Sequence, residues 1–212
     1  KGGISYILKQ NFGVVLPEAM REDVGYAIKQ VSDEMHQELS PQNVYEIFEE
    51  QYLHSMNYFR ITESHFKQLA DGIMAEVTIL NGEKETVIDA NGNGRLDAVS
   101  NAVKQFFNID YTLMNYEEHA LTQTTSSKAI AYVCIKKDNT TYWGAGIDED
   151  IIKASIQALC VSVNKMLAVQ KGNACEDVRL TKMLNYIQNH YQNVTLADMS
   201  QEFHLTEPYI SK

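Results

Sequence analysis

The apolar positions of this chain change rhythm twice. From Lys1 to about Leu53 they recur at helical spacing. "LPEAMREDVGYAIKQVSDEM" has Pro17 where a first helical turn tolerates it and acidic residues early in the run. "SPQNVYEIFEEQYL" offers Ser40 as N-cap, Pro41 at the first helical position and an apolar stripe of Val44, Ile47, Phe48 and Tyr52. From Tyr58 to Leu167 the pattern changes to strands and two helices, and it repeats. The first unit is a hairpin around Asn81-Gly82, then Gly92-Asn93-Gly94, then a helix to Phe107. The second is "YTLMNYEEHAL", "AIAYVCIKKDNTTYW", Gly144-Ala145-Gly146 and the helix in "IDEDIIKASIQALCVSVNKML". Each unit reads strand, strand, Gly-x-Gly, helix, with an Asp just inside the helix (Asp97; Asp148 and Asp150). The pattern predicts an α+β fold: a helical first part, two pseudo-symmetric β-β-α units with a helix over one sheet face of each, and a short helical tail. In the tail, "DVRLTKMLNYIQNHY" reads as one amphipathic helix and "TLADMSQEF" as a second, capped by Thr195 with Asp198 three residues on. "TEPYISK" begins a third.

Composition narrows the function classes. The chain has 212 residues, is 44% hydrophobic and carries a formal net charge of -10, which argues against a nucleic-acid surface over most of its length. Cys134, Cys160 and Cys175 form no CxxC pair, and reduced thiols in a cytoplasmic protein are expected, with Cys134 and Cys160 in cores. No apolar run is expected to span a membrane, and no signal peptide is evident. The chain opens on "KGGISYILKQ" without Met, and a piece of a longer protein is expected.

"DANGNGRLD" tests the metal question. Asp89, Asn91, Asn93, Gly94 and Asp97 occupy positions 1, 3, 5, 6 and 9 of a calcium loop. The twelfth position is Ser100, where a bidentate Glu should close the shell, and the stretch before Asp89 reads as a strand rather than a helix. A strand, a Gly-x-Gly turn and a helix start make a close-approach site with free N–H groups instead. The six histidines show no His-x-His spacing, and His119, beside Glu117 and Glu118, is expected to be a strand-end hydrogen bonder.

Two resemblances emerge from the motifs. "KGGISYIL", "LSPQNVYEIFEEQYL", "GNGRLDA", "YEEHAL", "AIAYVCI" and "WGAGIDEDIIKASIQALCVSVN" resemble the C-terminal part of the 2-isopropylmalate synthase family, over Lys1 to about Leu167. "YEEHA" together with "WGAGI" is similar to the longer, fungal- and actinobacterial-type branch. The resemblance implies a helical linker subdomain over 1–57 and a regulatory, dimer-forming domain over 58–170. It also implies that the catalytic barrel, with its divalent metal and its condensation of acetyl-CoA with 2-oxoisovalerate, lies outside this chain, which alone is expected to catalyse nothing and to hold no cofactor. Residues 171–212 contain "NYIQNHYQNVTLADMSQEFHLTEPYISK", which resembles the first helix-turn-helix of an AraC-type regulator, ending inside its recognition helix. Lys171, Arg179, Lys182 and Lys212 stand against five acids there, so DNA binding by this tail is not expected.

The first resemblance implies leucine as effector at the interface of a homodimer. Its pocket falls on Leu96, Asp97, Leu113, Tyr116, Ala120, Ser127, Ala129 and Ile151. These residue types suit such a ligand, because Leu96, Leu113 and Ile151 can sheath an isobutyl group while Ala120 and Ala129 leave it room. Four apolar carbons contribute roughly 3 kcal/mol, whereas micromolar binding needs about 8, so the zwitterionic end must supply the rest. N–H groups at helix starts near Gly94 and Gly146 are the expected carboxylate partners, and Asp97 the ammonium acceptor. Departures from the family occur at Arg95 (usually Pro), at Asp97 (commonly small) and in "LTQTTSSKA", which lacks the glycine usual after "EHA". Two alternatives stand beside this reading: an amino-acid-responsive transcription regulator, and the regulatory domain of citramalate synthase with isoleucine as effector.

Overall fold

The structure, a computed structural model, describes residues 2–35, 39–121 and 127–190, with side chains for 3–33, 39–121 and 127–172. It falls into two compact units, Lys1–Leu167 and Ala168–Lys212. The first opens with helices α1 (Gly2–Phe12), α2 (Arg21–Met35) and α3 (Pro41–Phe48). Ser40 caps α3 as expected: its hydroxyl accepts the Asn43 N–H at 3.2 Å, and the Asn43 side chain accepts the Ser40 N–H at 3.3 Å. Helix α3 runs on into a π-helical turn, Glu49–Leu53. That turn buries Tyr52, whose hydroxyl donates to Asp23 on α2 at 2.6 Å.

Two antiparallel sheets follow. The first is β1 (Phe59–Leu69), β2 (Gly72–Asn81) and β3 (Lys84–Gly92), leading into α4 (Arg95–Phe107). The second is β4 (Thr112–Ala120), β5 (Ala129–Lys137) and β6 (Thr140–Asp148), leading into α5. The two-fold repeat is there, but each unit is β-β-β-α, one strand longer than the pattern predicts. In the first unit the extra strand is β1, joined to β2 through Ala70-Asp71, which carries no Asn-Gly signal. In the second, "AIAYVCIKKDNTTYW" folds back on itself at Asp138-Asn139, with Asp138 in the left-handed region at φ 53°. The hairpin at Asn81-Gly82 forms with Gly82 at φ 63°, its two-residue loop being Gly82-Glu83.

The second Gly-x-Gly is not a turn. Gly144 and Gly146 lie inside β6, paired with Val133 and Ala131. A Cβ on Gly144 would stand 2.1 Å from the Ala158 carbonyl oxygen, and one on Gly146 2.1 Å from that of Ala154. These glycines let α5 lie directly on the strand backbone. Gly92 does the same for α4, since a Cβ there would stand 2.3 Å from the Ala98 nitrogen; the first motif differs in that its second glycine, Gly94, has left the strand and caps the helix.

Helix α5 runs unbroken over Ile151–His190. The polar "QKGNACED" predicts an end near Leu167, but that stretch holds no proline, and an interior Gly costs a helix only about 1 kcal/mol. The expected second and third tail helices, with Thr195 and Asp198, lie outside the described residues. The expectation that no apolar run is long enough to span a membrane is corrected by Ile151–Gly172, 22 residues containing an 18-residue stretch of mean hydropathy 1.3, which pass on length and composition. Within the protein 67% of that stretch is buried, so its apolarity serves the core.

Two cores result. One joins Ala75, Val77 and Ile79 of β2 and Ala131, Val133 and Ile135 of β5 to the apolar faces of α4 and α5. The other places the reverse face of the second sheet (Ile130, Tyr132, Cys134, Trp143) against the N-terminal helices. The second sheet is therefore covered on both faces, and β5 is buried from Ile130 to Ile135. Cys134 and Cys160 are buried free thiols as expected, and burial pushes Cys160 up to about 12. Asn164 of α5 ties the start of β1 to the helix: its Oδ1 accepts the Tyr58 N–H at 2.8 Å, and its Nδ2 donates to the Phe59 carbonyl at 2.9 Å. Lys165 reaches the other way, its ammonium 3.5 Å from the Tyr52 ring centroid. Burial lowers the Lys165 pKa to about 8, with Asp23 acting in the opposite sense.

Candidate functional site

Strand β4 sets most of the expected residues on one face. In a regular strand, Leu113 and Tyr116, three apart, would point to opposite sides. A β-bulge between Leu113 and Asn115 absorbs Met114 and corrects the parity. Leu113 then stands opposite Ile135, Tyr116 opposite Val133, and Ala120 opposite Ala129. Val133 and Ile135 belong to the core under α5, so Leu113, Tyr116, Ala120 and Ala129 share the helix-covered face.

Ile151, the first residue of α5, joins this group through a hydrogen-bond chain. Ser155 Oγ donates to the Ile151 carbonyl at 2.6 Å and lies 2.9 Å from Tyr116 Oη, which also donates to Glu118 at 2.7 Å. Tyr116 remains 44% exposed, its pKa raised first by partial burial and further by Glu118, with Ser155 acting the other way. Sequence reasoning missed Ser155 and Glu118. The available signals were the helical i, i+4 spacing of Ser155 from Ile151 and the strand i, i+2 spacing of Glu118 from Tyr116.

Gly94, Leu96 and Asp97 form a second group at the start of α4. Gly94 is the N-cap in an extended conformation with no side-chain cap bond. Asp97 accepts the Asn93 N–H at 2.9 Å, and Asn101 donates to the Asn91 carbonyl at 2.8 Å, which together pin the loop. Arg95 lies over the Phe66 ring, 5.5 Å from its centroid. Leu96, Leu113 and Ile151 all border the same core. The loop is entered from a strand as expected, since Asp89 pairs with Glu76 inside the first sheet. Ser100, at the twelfth calcium-loop position, is fully buried and donates to Tyr111 Oη at 3.0 Å. Among the described residues no three His, Cys, Asp or Glu side chains stand together as a metal site.

One expected position departs from its assigned surroundings. Gly146 is a strand residue under α5, Asp148 ends β6, and Asp150 stands just before the helix rather than inside it, its side chain accepting the Ile152 N–H at 2.8 Å. Ser127 is exposed and precedes β5. The other face of β4 carries Glu117 and His119. His119 Nε2 is 3.4 Å from Glu117 Oε2 but is buried without a hydrogen-bond partner, so it is not the strand-end hydrogen bonder expected. A cavity of about 330 Å³ opens elsewhere, between Phe12, Tyr45, Leu53, Leu121 and Ile147.

Residues 38–167, from just before α3 to the end of the first compact unit, match the LeuA allosteric (dimerisation) domain. The chain belongs to this family. It is 35% identical over 175 residues to 2-isopropylmalate synthase of Helicobacter hepaticus, covering 79% of this chain and 31% of that protein. It is 38% identical over 169 residues to that of Desulfitobacterium hafniense, covering 79% and 30%. The fission yeast Schizosaccharomyces pombe enzyme is 33% identical over 175 residues, covering 78% and 30%. The chain thus spans about 30% of the length of these relatives. All six strands, α4, the first part of α5 and both Gly-x-Gly motifs lie within the LeuA allosteric domain match, which ends inside α5. As a dimerisation domain by description, the family supports dimerisation of this chain.

Proposed function

We propose that this chain is the leucine-sensing, homodimeric regulatory portion of a 2-isopropylmalate synthase working in the cytoplasm. Residues 1–57 serve as linker and 58–170 as sensor. The condensation of acetyl-CoA with 2-oxoisovalerate, and the divalent metal it uses, belong to a barrel outside this chain. For residues 171–212 the motif supports a partial AraC-type helix-turn-helix, with too few basic residues to favour DNA binding.

The observation that carries the reading is the shared face of Leu113, Tyr116, Ala120 and Ala129 at the start of α5, within the LeuA allosteric domain match. Small Ala120 and Ala129 leave room for a branched side chain beside Leu113 and Ile151. Tyr116 stands exposed at the rim, where a second copy of the chain would cover it. Of the two helix starts, that of α4 at Gly94 has no side-chain cap and suits a carboxylate. Asp97 already receives the Asn93 N–H, yet a carboxylate has about four lone-pair sites, which leaves capacity for an ammonium.

The two ends of the ligand are separable by calorimetric titration. Tyr116→Ala removes a pocket wall and weakens leucine, isoleucine and valine alike, by about 2–4 kcal/mol if the ring is covered in the dimer. Asp97→Ala abolishes the preference for leucine over 4-methylpentanoate, which has the same side chain and no amino group. A Tyr116→Ala chain that binds leucine as the unaltered chain does would remove β4 from the site.

A further inference from the structure

Resting on the leucine reading, we propose that Glu117 and Tyr132 relay effector binding into the N-terminal helices, through a hydrogen bond from Tyr132 Oη to the Glu117 carboxylate that forms when leucine is bound. Strand β4 faces two ways. Tyr116, Glu118 and Ala120 look toward α5, while Glu117 and His119, alternating with them, look toward the helical part. Among the described residues β4 pairs only with β5, and its bulge sits three residues before Glu117. A ligand that packs on Tyr116 displaces Glu117 with it, because the two are adjacent on one backbone.

The reverse face is primed to respond. Tyr132 is fully buried, stands directly opposite Glu117, and its hydroxyl has no hydrogen-bond partner. His119 Nε2, also buried and without a hydrogen bond, stands at ion-pair distance, 3.4 Å, from the same carboxylate, and its ring is 6.0 Å from that of Tyr132. Burial raises the Tyr132 hydroxyl's pKa further than Glu117 does, so it remains a donor. Two orphaned polar groups beside one acceptor are an arrangement that a small shift of β4 improves. Tyr132 packs in the core shared with Val14, Phe48 and Tyr52, so the bond would fix β4 against the helices.

The test uses the full chain with leucine as the probe. Trp143 is the single tryptophan, 4% exposed, paired with Cys134 and diagonal to Tyr132 on the same face. Leucine is expected to shift its emission. Tyr132→Phe loses that shift and binds leucine at least about fivefold more weakly, the low end of usual coupling, although residue 132 faces away from the ligand. Its ligand-free melting point stays equal or rises, since the hydroxyl removed had no partner. Glu117→Ala reproduces the loss of the emission shift. A Tyr132→Phe chain with unaltered affinity and emission shift overturns the relay and leaves the effector reading standing. Binding heat in the unaltered chain without any Trp143 change overturns it as well. No binding heat at all defeats the effector reading, and the relay with it.

Discussion

Gly144→Ala is expected to destabilise the chain by about 3 kcal/mol or more, the upper range for overpacking, because the obstacle is backbone rather than a movable side chain. The added Cβ would stand 2.1 Å from the Ala158 carbonyl oxygen and 2.7 Å from the Ser162 nitrogen. Helix α5 must lift off β6 to accept it, and α5 supplies a large part of the core between the sheets. Gly25, inside α2, makes the contrast. Nothing lies within 4 Å of a Cβ there. Gly25→Ala should therefore stabilise by about 0.5–1 kcal/mol, the helix-propensity difference. Urea denaturation of both variants should move the midpoint in opposite directions. Equal, small shifts would contradict the close packing of α5 on the second Gly-x-Gly.

Asn164→Leu should cost about 3–5 kcal/mol, comparable to breaking a buried polar network. Asn164 is 2% exposed and uses its whole amide. Oδ1 accepts from Tyr58 and Phe59 at 2.8 and 3.2 Å, while Nδ2 donates to the carbonyls of Phe59 and Cys160 at 2.9 and 2.7 Å. Leucine has a similar volume and no polar atom, so the cost comes from backbone groups of β1 left buried without partners, each about 1–3 kcal/mol. Thermal and urea unfolding would show it. A loss below about 1 kcal/mol would mean that water replaces the amide.

What could be read from the amino acids follows from which signals are local. The cap at Ser40, the Gly82 turn, the start of α4 and the helix over Ile151–Leu167 depend on residues within one turn of each other, and all are in the fold. The third strand of each unit was lost because Ala70-Asp71 and Asp138-Asn139 are weaker turn formers than Asn-Gly. The two Gly-x-Gly motifs look alike in sequence, and in both a glycine lets a helix lie on strand backbone, Gly92 under α4 and Gly144 and Gly146 under α5. They differ in where the strand stops: β3 ends at Gly92 and Gly94 caps α4, whereas β6 continues through Gly146 to Asp148. The shared face of Leu113 and Tyr116 was illegible for a similar reason: the bulge at Met114 is set by pairing with β5, not by β4 itself. Asp97 could be placed near a helix start from its position, but its bond to Asn93 appears only in three dimensions.

The central claim is that this domain binds leucine as its effector, and thermal unfolding with added ligand tests it most directly. A ligand that binds the native dimer and not the unfolded chain stabilises by RT ln(1 + [L]/Kd), about 2.7 kcal/mol at a hundredfold excess over Kd. The melting point should rise steadily with leucine, should rise less with isoleucine and valine, and should hardly move with alanine. Stabilisation by leucine no greater than by alanine at millimolar concentration would contradict the effector assignment while leaving the LeuA allosteric fold in place.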